Sequence, residues 1–441
     1  MCKTKQAGKL VLSVFFLLIC ISRCKDEQEE FKAAEYDPNL TVEVTEFTPD
    51  SGGAATQLMI YGSNFGGNKE QVEVAVNGKV APVVGCNGSV IYALVPRQVR
   101  EDAGTCAVTL RVGEQEVSVG EFHYTPHYLV STLVGYDVED GKETFEPGDF
   151  SKAQLKDPYW LAFDGDKNLY VVDEGTGVHF IDLKNQTVTN KFRTGSNNIS
   201  RPRTIAFTKD YDTMIVAHDA GLMTDISQIQ LTKADNFVTP IPVCYSQQCN
   251  GGAFHPVRTD EYFFNSYNAS QVYKANRSKV PWTYEEMYKW DDKDWEFNIQ
   301  FAPSGNFAYL VSINRHYIGK SQYNWATHTL EKATVFVGEK NAPGYSDGAG
   351  SSARFDHPQQ GAFDENDNFY IGDAYNHCIR KITPEGIVTT FAGRPREFGT
   401  VDGNLREAQF DRPFGIVYDR DDKRFYIADQ KNRCIRTISF E

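Results

Sequence analysis

The sequence predicts an all-β protein made of a small two-sheet sandwich followed by a ring of repeated four-stranded units. Aromatic residues form 13% of the 441 residues and glycine is plentiful, which favours pleated strands and tight turns. Residues 38–125 contain short strands of alternating polarity, and residues 128–441 repeat one pattern six times. A chain of this length is expected to form two domains.

The first 24 residues are predicted to be a targeting segment. Three lysines precede the apolar run 10–21, which is too short to span a bilayer comfortably and fits a signal sequence. Cys24 follows, and then the acidic stretch KDEQEE. This arrangement resembles the signal of Bacteroidota surface lipoproteins, which implies lipidation at Cys24 and an outer-membrane location facing the cell exterior. Arg23 stands where a small residue is usual, so acylation at Cys20, a plain signal peptide and an uncleaved anchor helix remain alternatives.

Charge and composition limit the partners of the chain. Residues 25–37 are charged and poor in large hydrophobic side chains, which predicts a flexible tether from the membrane. The net charge is −14 and the sequence has no basic stripe. Nucleic-acid partners are therefore excluded, because binding phosphates requires such a stripe.

Six cysteines follow residue 24, and an even number permits disulfides in an exported protein. Cys244 and Cys249 flank a short polar loop and are the best predicted disulfide pair. Cys378 and Cys434 occupy the same place in two neighbouring repeats, which predicts buried free thiols. No cysteine–histidine cluster has zinc-ligand spacing, so we expect no metal and no cofactor.

Residues 38–125 carry the strand-and-turn pattern of an immunoglobulin-like sandwich. Turn sequences such as Asn77-Gly78 separate the strands, and a segment of this length suits that fold. Phe47–Gly52 and Met59–Gly66, together with Val74–Gly78 and Leu94–Pro96, resemble the IPT/TIG family. The resemblance implies a spacer or interaction module.

Residues 128–441 contain six pairs of anchors. In each pair an aromatic first anchor precedes a second anchor by seven or eight positions, with a polar turn between them, which predicts a hairpin. The second anchors recur every 45 to 61 residues, the length of one four-stranded blade, and a radial array of blades is a β-propeller. The first anchors are Phe163, Phe207, Phe254, Phe301, Phe363 and Tyr418, and the second are Tyr170, Ile215, Tyr262, Tyr309, Tyr370 and Tyr426.

The fifth and sixth units are the most regular. Phe355–Gly361 with Phe369–Asp373 and Asn376–Arg380 resembles the NHL repeat, and residues 410–436 follow it almost residue for residue. The sixth unit ends before a fourth strand, while residues 128–135 resemble the outer strand 388–393. We therefore expect 128–135 to supply the sixth outer strand and close a six-bladed ring, which removes an exposed sheet edge.

Three residues after each second anchor stands a small or polar residue, and in three units it is an aspartate. Asp173, Asp373 and Asp429 recur in register, which favours a role in tying turns or blades together over ligand binding. His357 belongs to the repeat motif and is also expected to be structural.

Function is expected at one end of the propeller. The loop leading into each inner strand and the loop joining the second and third strands open on the same end, which we call the loop end, and loops carry function more often than blades. The candidate ligand-binding residues there are Tyr159, Trp160, Arg203, His218, Tyr267, Asn268, Trp295, Asn298, Arg315, His316 and Tyr375. Aromatic rings stack on sugar C–H faces, and amide and charged groups bond sugar hydroxyls. The stretch 281–297 has a second interpretation, in which its aromatic residues simply pack between blades.

Three functions remain open at this level. The preferred one is non-catalytic capture of an extracellular glycan for a polysaccharide uptake system, with an outer-membrane transporter complex as a partner. It rests on resemblance to IPT/TIG–NHL lipoproteins. Some similar propellers are metal-dependent lyases or hydrolases, but no catalytic motif and no catalytic residue can be assigned from this sequence. The third is a protein-interaction scaffold.

Overall fold

A computed structural model describes residues 35–440 except 55, 99–103, 126, 136–143, 196–200, 220–223, 268–269 and 291–294. The predicted targeting segment with Cys24, and the predicted site residue Asn268, lie outside the described residues. The chain divides into two compact units, one running to Tyr124 and one from Thr125 onward, with 97–101 counted in the second. The described secondary structure is β-strand and single-turn 3₁₀ helix, and no described helix is long and apolar enough to cross a membrane.

The first unit is a sandwich of two sheets. One sheet has the order β1-β3-β7-β6 and the other β2-β9-β8-β4-β5. Every second residue of β4 and β8 faces the core, because side chains alternate across a strand: Val74, Val76, Val108 and Leu110 are buried. The strands are β1 (Glu43–Thr48), β2 (Ser51–Gly52), β3 (Gln57–Ser63), β4 (Val72–Val76), β5 (Lys79–Ala81), β6 (Val83–Cys86), β7 (Val90–Leu94), β8 (Gly104–Val112) and β9 (Gln115–Tyr124), with a 3₁₀ turn at Lys69–Gln71.

The described residues of the second unit form six antiparallel sheets, which we number as blades 1 to 6 in chain order. Blade 1 has β11 (Gly148–Asp149), β12 (Pro158–Phe163), β13 (Leu169–Asp173), β14 (Gly177–Asp182) and β15 (Thr187–Arg193); blade 2 has β16 (Pro202–Phe207), β17 (Thr213–His218), β18 (Ile226–Thr232) and β19 (Ile241–Tyr245); blade 3 has β20 (Gly252–Phe254), β21 (Tyr262–Ser266), β22 (Gln271–Asn276) and β23 (Thr283–Lys289).

Blades 4 to 6 follow the same plan. Blade 4 has β24 (Phe297–Phe301), β25 (Phe307–Ser312), β26 (Tyr317–Asn324), β27 (Thr329–Leu330) and β28 (Thr334–Gly338); blade 5 has β29 (Gly348–Ala349), β30 (Pro358–Phe363), β31 (Phe369–Asp373), β32 (Cys378–Ile382) and β33 (Ile387–Ala392); blade 6 has β34 (Gly403–Asn404), β35 (Pro413–Asp419), β36 (Arg424–Asp429), β37 (Cys434–Phe440) and β10 (Tyr128–Val134). Single 3₁₀ turns lie at Lys233–Asp235, Gly350–Ser352 and Ala374–Asn376.

The ring closes through a strand from the start of the second unit. β10 pairs antiparallel with β37, with Val130 opposite Ile438. The inner strands β12, β16, β20, β24, β30 and β35 each contact the next, and β35 contacts β12. The predicted all-β fold with a six-bladed propeller is therefore confirmed, and so is the outer strand expected from residues 128–135.

The anchor periodicity arises from packing between blades. First anchors of one blade lie against second anchors of the preceding blade: Phe163 meets Tyr426 edge-on at 5.5 Å and Phe207 meets Tyr170 at 5.2 Å between ring centroids. Such aromatic pairs add about 0.5–1.5 kcal/mol beyond the area that they bury. The repeated aromatic residues hold the ring together.

Candidate functional site

The polar residue three positions after the second anchor ties the loop end together in blades 3, 5 and 6. Asp373 Oδ1 accepts a hydrogen bond from the backbone N of Asp356 at 2.7 Å, and Asp429 Oδ1 accepts one from Asp411 at 2.8 Å. In blade 3, Asn265 Oδ1 accepts from the backbone N of Asn250 and Gly251. These residues satisfy backbone N–H groups of the loop that leads into the inner strand, so their role is structural, as expected from their register.

A polar network occupies the loop end of the central channel, which is the space enclosed by the six inner strands. The guanidinium of Arg203 is buried and forms ion pairs with Glu174 and Glu296, and it donates to the Tyr159 hydroxyl at 3.0 Å. That hydroxyl donates to Gln359 Oε1 at 3.1 Å. Because these residues come from blades 1, 2, 4 and 5, the network spans the mouth of the channel.

Arg201 extends this network to solvent. Its side chain is about half exposed, and it pairs with Glu174 at 3.0 Å and with Asp219 at 3.2 Å.

Burial would lower the pKa of Arg203, but Tyr159, Glu296 and Glu174 together raise it. Burial likewise opposes ionisation of Glu174, yet the two arginines hold its pKa below the usual range. For Asp219 burial outweighs the arginines and raises the pKa. The mouth therefore presents fixed charges of both signs.

Inside the ring, a side-chain amide links blades 5 and 1. Gln360 Oε1 accepts from the backbone N of Leu161 at 2.9 Å, and Gln360 Nε2 donates to the Leu161 carbonyl at 2.8 Å. Blades 5 and 1 are not neighbours, and the Gln360 amide reaches Leu161 beside Gly415 in the inner strand of blade 6. Below it, at the end bearing the hairpin turns between inner and second strands (the turn end), lies a cavity of about 410 Å³ lined by the inner strands of all six blades.

Two predicted stacking residues are buried, and the prediction that they offer exposed rings is wrong. Trp295 has no exposed surface and packs in the blade 3–4 core, beneath Lys340 and Arg315, whose charged groups lie 4.8 Å and 5.7 Å from its ring. Trp160 packs between blades 1 and 2 and donates to the Ile205 carbonyl at 3.2 Å. Burying these large apolar rings between blades removes them from water and stabilises the fold more than an exposed position at the rim would.

Several polar candidates are also buried in the scaffold. His218 Nε2 accepts from the backbone N of Arg201 at 3.2 Å, so it performs in blade 2 the tying role of the aspartates. Asn298 is buried and its Oδ1 accepts from Gln300 at 2.6 Å inside the channel. Tyr159 and Arg203 belong to the mouth network. These residues were expected to face ligand, and the structure gives them internal partners instead.

Three candidates keep solvent-accessible surface: Tyr267, Arg315 and Tyr375. Tyr375 is 41% exposed. The Arg412 guanidinium lies 4.7 Å from its ring centroid and the His357 ring lies 4.0 Å away. His316, another candidate, is largely buried beside His357. The structure therefore brings His316 and Tyr375 together through His357, which the repeat motif had marked as structural.

The predicted disulfide between Cys244 and Cys249 is absent, and both thiols are free and buried. Their sulfurs have other partners. Cys249 Sγ accepts from Gln228 Nε2 at 3.1 Å and lies 3.4 Å from the Gly251 carbonyl. Burial raises the pKa of Cys244 to about 11 and that of Cys249 to about 12. Cys378 and Cys434 are buried free thiols, as expected.

Two residues of the mouth network, Glu296 and Gln359, are not among the candidates predicted from the sequence. Glu296 stands between Trp295 and Phe297 in a run chosen for its aromatic residues. Nothing in that run shows that its carboxylate reaches Arg203, 93 residues away. The opposite charges of Arg203 and Glu296 are the only sequence feature that suggests an ion pair. They do not show that these two residues meet, because that depends on the geometry of the ring.

Comparison with known proteins agrees with this architecture. The IPT/TIG domain family matches residues 43–127. An auxiliary nutrient binding protein of Bacteroides thetaiotaomicron is 35% identical, with a TM-score of 0.70, over 92% of this chain and 99% of its own. One from Bacteroides ovatus is 30% identical, with a TM-score of 0.75, over 92% and 100%.

This chain belongs to that family of IPT/TIG and NHL-repeat propeller proteins. A further B. thetaiotaomicron member, named provisionally as a phosphatase, is 33% identical with a TM-score of 0.70 over 92% of this chain and 98% of its own. The bovine NHL repeat-containing protein 2 is 30% identical over 97 residues, which are 22% of this chain and 13% of that protein. The match thus covers only a small part of the curated relative.

Proposed function

We propose that this chain is a non-catalytic cell-surface protein that captures an extracellular glycan at the loop end of its propeller for an uptake system. The observation that carries the proposal is the loop-end surface itself. It carries the exposed ring of Tyr375 in blade 5 and, in blade 2, the half-exposed, carboxylate-paired guanidinium of Arg201. The nutrient-binding names of the two Bacteroides relatives support a binding role.

The chemistry of the surface suits a sugar. The ring of Tyr375 has one neighbour in Arg412 and one in His357, so it is held in place and retains exposed area for stacking. Arg201, Glu174 and Asp219 offer donors and acceptors in fixed orientations, and fixed groups lose little conformational freedom on binding a hydroxyl-rich ligand.

The internal pairing of the mouth favours binding over catalysis. Glu174 and Glu296 already pair with the buried Arg203, so their carboxylates are engaged inside the protein and do not face a substrate. A phosphatase would need a nucleophile or an activated water facing open solvent. The relative with the provisional phosphatase name nevertheless makes phosphatase activity the catalytic alternative to measure.

The main test is a glycan screen followed by calorimetry with the best polysaccharide. Tyr375→Ala and Arg201→Ala are each expected to weaken binding by at least about tenfold, roughly 1.4 kcal/mol. Trp325→Ala is the matched control, because Trp325 is also an exposed aromatic residue (45%) but lies on the turn joining β26 and β27, at the turn end. Loss of binding in Trp325→Ala alone would place the ligand at the turn end instead.

Two further outcomes would overturn the proposal. Hydrolysis of p-nitrophenyl phosphate by the purified protein would support the phosphatase alternative. Co-purification with an outer-membrane transporter and no binding to any glycan would support a scaffold.

We also propose that lipidation at Cys24 holds the protein on the outer membrane, facing outward. Labelled fatty acid is expected to enter the wild-type protein and not the Cys24→Ser variant. External protease is expected to degrade the protein on intact cells. Labelling that persists in Cys24→Ser would point to Cys20, and protection from protease would contradict surface exposure.

A further inference from the structure

Three metal-ligating side chains meet where blades 4 and 5 adjoin at the loop end. His316 lies in the turn between β25 and β26, and Asp356 and His357 lie in the loop leading into β30. Asp356 Oδ1 is 2.7 Å from His357 Nδ1 and 3.5 Å from His316 Nδ1. One ligand atom from each residue falls within 4.8 Å of the others. The side chains are therefore close enough to share one ion.

The backbone holds this cluster in place. His316 and His357 both have left-handed φ values, 63° and 55°, a conformation that is uncommon outside glycine but that histidine, asparagine and aspartate adopt more often than other residues. The backbone N of His357 donates to His316 Nδ1 at 3.2 Å, which leaves Nε2 of that ring to ligate an ion, and the backbone N of Asp356 donates to Asp373. The ring of His357 also lies on Tyr375. Ligands fixed in this way need little ordering when they bind an ion.

The cluster is open on one side. His316 is largely buried, while the side chains of Asp356 and His357 are 28% and 30% exposed. Water can therefore complete the coordination of an ion held by the three side chains. Two imidazoles and one carboxylate favour Zn²⁺, Co²⁺ or Ni²⁺ over Ca²⁺ or Mg²⁺, which prefer oxygen ligands alone.

The next junction of the ring provides an internal comparison. Between blades 5 and 6, His377 Nδ1 lies 3.2 Å from Asp411 Oδ1 and accepts from the backbone N of Arg412 at 3.3 Å. The two junctions are thus built alike, but Arg412 stands in the position of His357. Arginine has no lone pair to offer a metal and carries a positive charge, so this junction lacks the third ligand.

We propose that the junction of blades 4 and 5 binds one divalent transition-metal ion of the Zn²⁺ class through His316, Asp356 and His357. This site cannot be predicted from the sequence, because His316 is about 40 residues from the other two ligands. Only the packing of adjacent blades brings the three side chains together. The inference concerns the metal alone and holds whether or not a glycan binds.

The test uses the chelator-treated full-length protein and titrates it with Zn²⁺ by calorimetry and with Co²⁺ by visible absorption. Saturation at one ion per chain is expected. His357→Arg, which gives this junction the residues of the next, is expected to weaken metal binding at least a hundredfold and to abolish the Co²⁺ spectrum. His377→Ala is the matched control and is expected to leave both unchanged.

Other results would overturn the proposal. They are no saturable binding at one ion per chain, equal affinity in His357→Arg, or equal loss in His377→Ala. His357→Arg must also keep the wild-type circular dichroism and melting temperature, so that its loss reports on ligation. If it unfolds, His357→Gln, which retains a polar side chain of similar reach, replaces it with the same expected loss.

Discussion

Blades 6 and 3 use different side chains to bind the loop that leads into the inner strand. In blade 6 the buried Asp429 accepts a backbone hydrogen bond from Asp411 and forms an ion pair with the fully buried Arg436 at 3.0 Å. In blade 3 the buried Asn265 accepts two backbone hydrogen bonds with its amide oxygen, and its Nδ2 donates to the Phe297 carbonyl at 2.6 Å. Arg436 lies opposite the residue two before Asp429, and at the same place in the register of blade 3 stands Lys274, which pairs with Glu261 at 3.2 Å and not with Asn265.

The comparison shows that the fold needs an acceptor at this position and not a charge. An unpaired buried charge is costly, and in blade 6 Arg436 supplies the cation that pairs with Asp429. In blade 1 no described arginine pairs with Asp173, and burial raises the pKa of that carboxyl. Arg436 also donates to the Val401 and Gln409 carbonyls. Blade 5 repeats the arrangement with Asp373 and Arg380. Blade 3 avoids the charge and loses those additional ties.

The largest effect is expected from breaking the ion pair in blade 6. Arg436→Val should lower the free energy of unfolding by about 3–5 kcal/mol, because it leaves Asp429 buried without its cation. Urea unfolding of the propeller measures this. Arg394→Val, at a side chain 47% exposed, is the control and should change the value by less than about 0.5 kcal/mol. A similar loss in both variants would contradict the interpretation.

Removing the side-chain amide of Asn265 in blade 3 should lower the free energy of unfolding less than Arg436→Val does. Asn265→Ala is expected to lower the free energy of unfolding by about 2–3 kcal/mol, since it leaves buried backbone donors without an acceptor but no unpaired charge. Asn276→Ala, at an exposed position, serves as its control. A loss as large as that of Arg436→Val would mean that charge is not what distinguishes the two blades.

Removing both charges of the ion pair from blade 6 tests the comparison directly. The double variant Asp429→Asn/Arg436→Val should be more stable than Arg436→Val by about 2 kcal/mol, because removing the charge relieves the unpaired carboxylate. The orphaned carbonyls at 401 and 409 should keep it below wild type. Additive losses in the cycle of single and double variants would refute this coupling.

Blade 1 offers the smallest and most selective test, through pH. Its aspartate, Asp173, has no arginine but lies 4.0 Å from the buried His179, and burial lowers the pKa of His179 from 6.5 to about 3. The unfolded chain therefore takes up a proton below pH 6.5 that the folded chain does not. This contribution to stability is complete above pH 6.5 and falls as the pH falls towards 3, by about 1 kcal/mol between pH 6.5 and 5.5.

Melting curves of wild type and His179→Gln across this range isolate the effect. The variant keeps Asp173, so the shared contribution of that carboxyl cancels to first order. The variant is expected to show a flatter dependence on pH. Identical slopes would show that His179 is protonated in the folded protein and pairs with Asp173, as Arg436 does with Asp429.

Local pattern was sufficient for the fold. The spacing of Phe163 and Tyr170 and its five repetitions identified the hairpins, because side-chain alternation and turn chemistry act over a few residues. The resemblance of 128–135 to 388–393 identified the closing strand, because an unpaired edge needs a partner of the same pattern. The tying role of Asp373 and Asp429 followed from their register.

The candidate site was only partly accessible in this way. Tyr375 was expected to be exposed and is. Trp160 and Trp295 were also expected to be exposed but are buried, because an aromatic residue near a loop can equally well pack in the interface between two blades. The pairing of Cys244 with Cys249 failed for a similar reason, since closeness along the chain does not show where each sulfur points.

The sequence by itself determined that this protein is a chain of repeating hairpins joined to a sandwich, because the forces that set strands and turns act between near neighbours. Only the tertiary structure decided which side chains meet across the ring. Arg203 reaches Glu296 across the mouth of the ring, and His316 reaches Asp356 and His357 through the packing of blade 4 against blade 5. Such contacts depend on the angle and spacing of whole sheets, which no local pattern encodes.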